Sequence, residues 1–267
     1  MEPMVNIALQ AARSAGNLIV KAASKLDRIQ VDEKGQNDFV TEVDRAAEDE
    51  IIYHLRKAYP SHSILCEESG SHVGSDPDSE WIIDPSDGTT NFIRGIPHYA
   101  ISIAFRYKGR LEHGLVYDPV KLEEFTASRG RGARLNGSRI RVSGRIETAG
   151  AIYATGIPFS GKPFENMSPY LMSMAALANN SSGIRRMGAA SLDLAYVAAG
   201  RFDAFWEMYL KPWDIAAGIL LIQEAGGLVA DFQGGNRYLE SGHIVAATPR
   251  LLKPTLQTVG KHLGQLK

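Results

Sequence analysis

The feature that most restricts this chain is an apolar run broken off by acid: Trp81-Ile82-Ile83-Asp84-Pro85-Ser86-Asp87-Gly88-Thr89-Thr90-Asn91-Phe92. A strand over 81–84 ends on one carboxylate, and a second follows three residues later with Pro85 restraining the backbone between them. One Asp at a strand end is ordinary turn chemistry. Two, followed by a glycine turn and two threonines, can hold something charged. Taken alone, Asp-Pro-x-Asp is more often a turn with an N-cap, so the rest of the chain has to decide.

Around that stretch the chain reads as helices and strands in turn. Val5, Leu9, Ala12, Gly16, Ile19 and Ala23 recur at helical spacing and predict an amphipathic helix. Thr41-Glu42-Val43-Asp44 has the form of a capping box, so a second helix is expected over 41–59, ended by Pro60. Residues 63–66 read as a short strand running into Glu67-Glu68-Ser69-Gly70, followed by a polar loop up to Trp81. Four β-rich runs, 100–107, 110–117, 123–128 and 139–142, are separated by turn pairs such as Lys108-Gly109 and Asn136-Gly137, which predicts an antiparallel meander. Beyond it, strands are expected at 151–155, 204–207, 228–232 and 244–247, and helices at 170–178, 191–199 and 213–225. Thr248-Pro249 supplies an N-cap and an N1 proline for a final helix. The expectation is a compact α+β unit over 1–267 with layered sheets and helices, subdivided if at all near residue 145.

Four acidic side chains fall at the ends of these elements. Glu67 follows the 63–66 strand, Asp84 closes the next, Asp87 lies in the turn after it, and Asp214 starts the 213–225 helix. Carboxylates crowded together repel and raise one another's pKa, so a cation is their natural companion. The donors are all oxygen, with no His or Cys cluster beside them, which argues for a hard ion such as Mg2+ over Zn2+. Gly88-Thr89-Thr90 then opens a helix whose amides and hydroxyls suit an anion. Metal carboxylates beside an anion-binding turn point to metal-assisted attack of water on a phosphate ester. Each residue also has a plainer reading: Asp214 as an N-cap, Asp44 as a capping-box acid, Glu67-Glu68 as a solvated pair, Cys66 as a small buried side chain, His98 as structural. Arg185-Arg186 reads equally as a phosphate contact or an ion pair. The joint placement of the acids at element ends is what favours a site.

These residues carry a family resemblance. The 81–92 stretch resembles the first signature of the inositol monophosphatase family, and Trp213-Asp214-Ile215-Ala216-Ala217-Gly218 resembles its second. Glu67-Glu68-Ser69 matches the acidic motif between them, and Asp38-Phe39-Val40-Thr41-Glu42-Val43-Asp44 the N-terminal one. The likeness spans essentially the whole chain and is strongest to the family's bacterial SuhB-type branch. It implies an αβαβα sandwich of the sugar-phosphatase type, usually a homodimer, that hydrolyses phosphate monoesters such as myo-inositol monophosphate. It also implies Mg2+ as cofactor, two or three ions per site, and inhibition by Li+. Carried over by motif, Glu67, Asp84 and the Ser86 carbonyl hold one Mg2+, and Asp84, Asp87 and Asp214 hold a second. Thr89, with Asp44 behind it, orients and deprotonates the attacking water, and Glu67 completes the catalytic group. Ser86, Gly88 and Thr89 meet the phosphate, while Asp87, Arg185, Gly188, Ala189, Glu207 and Asp214 meet the polyol. Residues 1–145 then carry the metal and phosphate groups, and 146–267 complete the substrate site. Two positions depart from the family. Ser86 stands where an aliphatic residue is usual, and Tyr209, where a small residue is common, is expected to narrow the sugar end of the pocket.

Other readings compete. Haloacid dehalogenase-type phosphatases end a strand in Asp-x-Asp-Gly-Thr, but the spacing here is one residue longer and leaves Glu67 and Asp214 idle. Fructose-1,6-bisphosphatase or nucleotide phosphatase activity on the same fold stays open. SuhB-type members also act in transcription antitermination, which implies transcription proteins as partners. With 29 basic and 30 acidic residues the chain has no basic excess, so such a role runs through protein surfaces and not through direct nucleic-acid binding. The N-terminus lacks the pattern of a signal peptide, no run is long enough to span a bilayer, and the single Cys66 excludes an intrachain disulfide. A soluble, cytoplasmic protein is expected.

Overall fold

The strand Asp76–Asp87 explains the layering. Trp81 and Ile83 face one side and Ile82 the other, and none of the three is more than 1% exposed. A strand buried on both faces must be covered on both, which is why its sequence is an unbroken apolar run. The same split continues across its neighbours. Ala104, Val116 and Phe125 share the face of Ile82, whereas Ile103, Phe105, Leu115 and Tyr117 share that of Trp81 and Ile83. The structure, a computed structural model, describes residues 2–35, 38–157 and 167–265.

The Trp81 face is covered by helices Pro3–Ala23 and Glu42–Ala58, and the Ile82 face by Ala190–Ala198 and Pro212–Glu224. That second helix pair is covered in turn by a five-stranded sheet through Ala154, Phe205, Ile244 and Ala246. The far face of this sheet, with Tyr153, Trp206 and Val245, packs on Ser168–Ala178 and Leu252–Leu263. The layers are therefore helix, sheet, helix, sheet, helix. Position in this stack dictates sequence: every residue of the sandwiched Ala190–Ala198 helix is buried, while Pro3–Ala23 on the outside keeps one polar face. Gly218 sets the spacing of the inner pair, since a Cβ there would stand 2.5 Å from the Leu194 Cβ. The last residue of the Trp213–Gly218 motif thus has a packing reason. Among the described residues no helix is long and apolar enough to cross a membrane.

The larger sheet has eight strands, in the order Ser138–Arg139, Gly132–Leu135, Glu123–Ser128, Arg110–Asp118, Ala100–Tyr107, Asp76–Asp87, His62–Cys66 and Ser71–His72. Its pairings are antiparallel except that of His62–Cys66 with Asp76–Asp87, which is parallel with Cys66 opposite Ile83. Both strands therefore end at the same edge, and Glu67 leaves the sheet beside Asp84. The smaller sheet runs Gly183–Arg185, Ile152–Thr155, Ala204–Glu207, Ile244–Ala247, Leu228–Ala230.

Several expected boundaries move. The polar stretch before Trp81 contains Ser71–His72 and the first residues of Asp76–Asp87, exposed edges that need no apolar signal. The 139–142 strand is not formed as expected: pairing stops at Arg139, and the partner is Gly132–Leu135. These two short strands make a hairpin at Asn136-Gly137, both with positive φ, as a tight primed turn requires. Thr248 opens a turn, its hydroxyl oxygen accepting the Leu251 amide, and the last helix begins at Leu252. The hairpin of Val31–Gly35 with Asp38–Thr41, polar and short, gave no clear periodic signal.

Candidate active site

The strand ends make the first half of the site. Asp84 pairs with Ser102 and Asp87 with Ala100, so three steps on one strand match two on the other. The extra residue is a β-bulge. In an unbroken strand, side chains three apart face opposite sides of the sheet. The bulge at Pro85-Ser86 instead brings both acids to one cavity. Proline suits this position because it has no N–H to withdraw from the ladder. Asp84 Oδ1 accepts the Ser86 amide at 2.9 Å, and the Ser86 carbonyl accepts the Thr89 hydroxyl at 3.0 Å. Ser86 itself is 2% exposed, and its hydroxyl has no hydrogen-bond partner. Gly88 precedes the short helix Thr89–Ile93.

The inner helices supply the rest. Asp214 is the third residue of Pro212–Glu224, and its Oδ2 accepts the Lys211 amide at 2.6 Å, so it caps the helix from inside the first turn. Ser102, the register partner of Asp84, donates its hydroxyl to the Trp213 carbonyl at 3.0 Å. That bond draws the helix start toward the strand end. Asp87 Oδ2 accepts both the amide and the hydroxyl of Ser191 from the other inner helix, at 2.7 and 2.6 Å. Asn91 donates to the carbonyls of His98 and Met187, at 2.8 and 2.9 Å, and so ties Thr89–Ile93 to the segment before Gly188-Ala189.

The resulting cavity, of about 310 Å3, is lined by six carboxylates, Glu67, Asp84, Asp87, Asp193, Glu207 and Asp214, against Arg186 and Lys211. Burial pushes Asp84 well above the usual carboxylate range, and repulsion from Glu67, Asp87 and Asp214 adds to it. Asp214 is raised by burial and then by Asp87 and Glu67. Asp87 keeps part of its surface open to the cavity. Burial raises it too, but the two Ser191 hydrogen bonds pull the other way and leave it at about 6. An acid excess of this kind with an all-oxygen donor set fits a hard divalent cation. Among the described residues no three such side chains already close on one ion-sized point. Asp84, Asp87 and Asp214 are each turned to a protein donor.

Of the residues named from the sequence, Glu67, Asp84, Ser86, Asp87, Gly88, Thr89, Gly188, Ala189, Glu207 and Asp214 line this cavity. Asp44 does not. It is 1% exposed, and its Oδ2 accepts the amide and hydroxyl of Thr41 at 2.7 and 2.9 Å in the capping box. Arg185 is exposed and turned back on the Ile184 carbonyl, and Arg186 lines the cavity in its place. Tyr209 does not narrow the pocket: it lies outside the lining, with its ring edge-on to His243. Cys66 is fully buried, and burial lifts its thiol to about 12, so it is an inert core residue. Sequence reasoning missed Glu48, 2% exposed, which accepts the Glu68 and Ser69 amides at 2.9 and 2.8 Å and holds the turn that carries Glu67. The available signal was a Glu on the apolar face of a helix, beside Ala47, Ile51 and Ile52. Ser191 and Asp193 lie in an apolar helical run and offered no comparable sign.

Comparison with known proteins agrees in fold and extent. The profile of the inositol monophosphatase family matches residues 1–263. The chain is 59% identical over 265 residues to the Nus factor SuhB of Pseudomonas aeruginosa, covering 98% of each chain. It is 53% identical over 264 residues to the Nus factor SuhB of Escherichia coli K12, covering 99% of this chain and 98% of that one. Among solved structures, the extragenic suppressor protein suhB of Bartonella henselae superposes with a TM-score of 0.94 at 42% identity, covering 98% of this chain and 100% of that one. The IMPase of Thermotoga maritima does so with a TM-score of 0.88 at 31% identity, over the full length of both.

Proposed function

Because the chain belongs to the inositol monophosphatase family, we propose that it is a Mg2+-dependent phosphatase that hydrolyses myo-inositol monophosphate to inositol and phosphate. The observation that carries this reading is the gathering of Glu67, Asp84, Asp87 and Asp214, from two strand ends, a bulge and a helix start, around one cavity. Glu67, Asp84 and the Ser86 carbonyl would hold one Mg2+, and Asp84, Asp87 and Asp214 a second. Bound there, Mg2+ lowers the pKa of water and neutralises phosphate charge. The remaining work falls to the chain. Thr89 donates its hydroxyl to the Ser86 carbonyl, which leaves its oxygen lone pairs to orient a water. Asp44, carried over by motif, would act as the base behind Thr89, although its Oδ2 here accepts the Thr41 amide and hydroxyl. The turn at Gly88-Thr89 receives the phosphate. Glu207, Gly188, Ala189 and Arg186 face the polyol end, Arg186 taking the place first given to Arg185.

Release of phosphate from a panel of monoesters, with Mg2+ and with added Li+, tests the reading. Inositol phosphates should lead the panel and Li+ should suppress turnover. Preference for fructose 1,6-bisphosphate or a nucleotide monophosphate would reassign the substrate, and turnover without Mg2+ would overturn the metal assignment.

The relatives named Nus factor favour a second role alongside transcription-antitermination proteins; the balance of 29 basic and 30 acidic residues favours protein surfaces over nucleic acid as the contact. A cytoplasmic homodimer accords with that role. Affinity capture with purified transcription-complex proteins tests it, and failure to bind any of them would leave the phosphatase reading alone.

A further inference from the structure

Tyr209 holds its backbone at φ +63°, in the left-handed region. A bulky residue adopts this conformation only where its surroundings hold it there. Among the described residues, the other non-glycine residues with positive φ, Lys108, Leu122 and Asn136, lie away from the cavity. Tyr209 sits within the segment from Glu207 to Lys211, four of whose residues, Glu207, Met208, Leu210 and Lys211, line it.

What holds Tyr209 is the turn before strand Ile244–Ala247. The Tyr209 amide donates to His243 Nδ1 at 3.4 Å, and the two rings meet edge-on at 5.0 Å. His243 is 1% exposed and stacked on Phe232 at 5.2 Å. Burial holds its imidazole below the ordinary pKa, against the pull of Asp231, which favours the neutral ring, and the Tyr209 amide is met by Nδ1 as its acceptor. On the next residue, Leu210 donates its amide to the Gly242 carbonyl at 3.0 Å. No side chain fits at Gly242, where a Cβ would stand 2.2 Å from the Leu210 carbonyl oxygen.

We propose that Tyr209 and His243 form a clamp that positions the Glu207–Lys211 rim, and that this rim sets selectivity for the polyol part of the substrate. The inference rests on the phosphatase reading and deepens it. The clamp turns the one aromatic side chain of the segment away from the cavity, so that Glu207 and Lys211 face the substrate's hydroxyls. Tyr209 is a positioning residue and touches neither phosphate nor metal.

The experiment compares the wild type with Tyr209→Ala, which loses the ring, Tyr209→Gly, which also relieves the backbone, and Tyr209→Phe, which keeps the ring. Each is assayed on myo-inositol 1-phosphate and on p-nitrophenyl phosphate, which has no polyol, and amide hydrogen exchange is followed over 207–211. Tyr209→Ala and Tyr209→Gly should raise KM for the inositol ester about tenfold, with kcat within about twofold and the aryl ester within about twofold. Exchange over the rim should speed up in both, and Tyr209→Phe should restore both readouts. Equal losses on the two esters, or an unchanged KM beside faster exchange, would overturn the selectivity role. Unchanged exchange in Tyr209→Ala would overturn the clamp itself. If the wild type released phosphate from neither ester, the phosphatase reading would fall, and the exchange data would still decide the clamp.

Discussion

The two ends of the cavity are built in opposite ways. At the acidic end every carboxylate is placed by regular structure: Glu67 and Asp84 leave parallel neighbouring strands, Asp87 is brought round by the bulge, and Asp214 sits in a first helical turn. At the other end, proposed to meet the polyol, Glu207 closes a strand while Arg186, Gly188 and Lys211 lie in connections of the second half, held by side chains such as Asn91 and His243. Groups fixed by strands and helices are held more precisely than groups on loops. The first arrangement suits chemistry that tolerates little displacement. The second suits selectivity, where loops can be retuned without disturbing the reacting groups.

The sharpest way to break this comparison is at Asp87. Asp87→Asn keeps an acceptor for Ser191 and removes the charge, so the protein should fold and retain partner binding. Mg2+-dependent turnover should fall by on the order of 10^3-fold, the several kcal/mol that charge stabilisation by a metal is worth. Steady-state assays across Mg2+ concentrations check it. Turnover that survives in Asp87→Asn would mean the acidic end is not a cation site.

A smaller loss should come from behind the same end. Glu48→Ala strands the Glu68 and Ser69 amides and frees the turn that carries Glu67. Removing such an orienting partner typically costs about 10–100-fold in metal affinity or activity. The midpoint of a Mg2+ titration should therefore rise by that factor. Two part-buried amides left without this acceptor should also lower unfolding free energy, by about 1 kcal/mol. If stability fell and the Mg2+ midpoint did not move, Glu48 would support the fold alone.

This difference between the two ends also explains what the sequence could and could not disclose. Asp84, Asp87 and Asp214 stand out because an acid at the edge of an apolar run breaks a strong local pattern; the apolar runs point to layered sheets and helices, and the αβαβα order came with the family resemblance. The bulge was foreshadowed only by Pro85. Arg186, Asp193 and Ser191 enter the site through tertiary packing, and nothing local separates Arg186 from Arg185 except that Arg185 pairs as an edge-strand residue opposite Ala154. Tyr209 misled for a related reason: side-chain size was legible, but the left-handed φ that turns the ring away was not.

Acid should also loosen the seam between the two ends. His98 is 5% exposed, its Nε2 has no partner, and its carbonyl accepts the Asn91 amide that also reaches Met187. Burial, helped by Lys121, lowers its pKa to about 4. A depressed folded-state value means the unfolded chain takes up the proton first. Its contribution to stability is therefore complete above about pH 6.5 and is lost as pH falls toward 4. By pH 5 the loss should reach about 2 kcal/mol, read from urea unfolding curves. In His98→Gln this part of the acid dependence should vanish. An unchanged acid slope in that variant would assign the loss to other groups.

The smallest expected effect separates two adjacent arginines. Arg185 is exposed, turned to the Ile184 carbonyl and outside the cavity lining, whereas Arg186 is one of two cations among six carboxylates there. Arg185→Ala should leave kcat and KM within about twofold of wild type, as most exposed substitutions do. Arg186→Ala removes a group that faces the polyol end, so KM for an inositol phosphate should rise with kcat little changed, the pattern of lost ground-state binding. If the two variants raised KM alike, the far wall would not be rigid enough to distinguish neighbours. Selectivity would then belong to a mobile loop and not to the positioned rim.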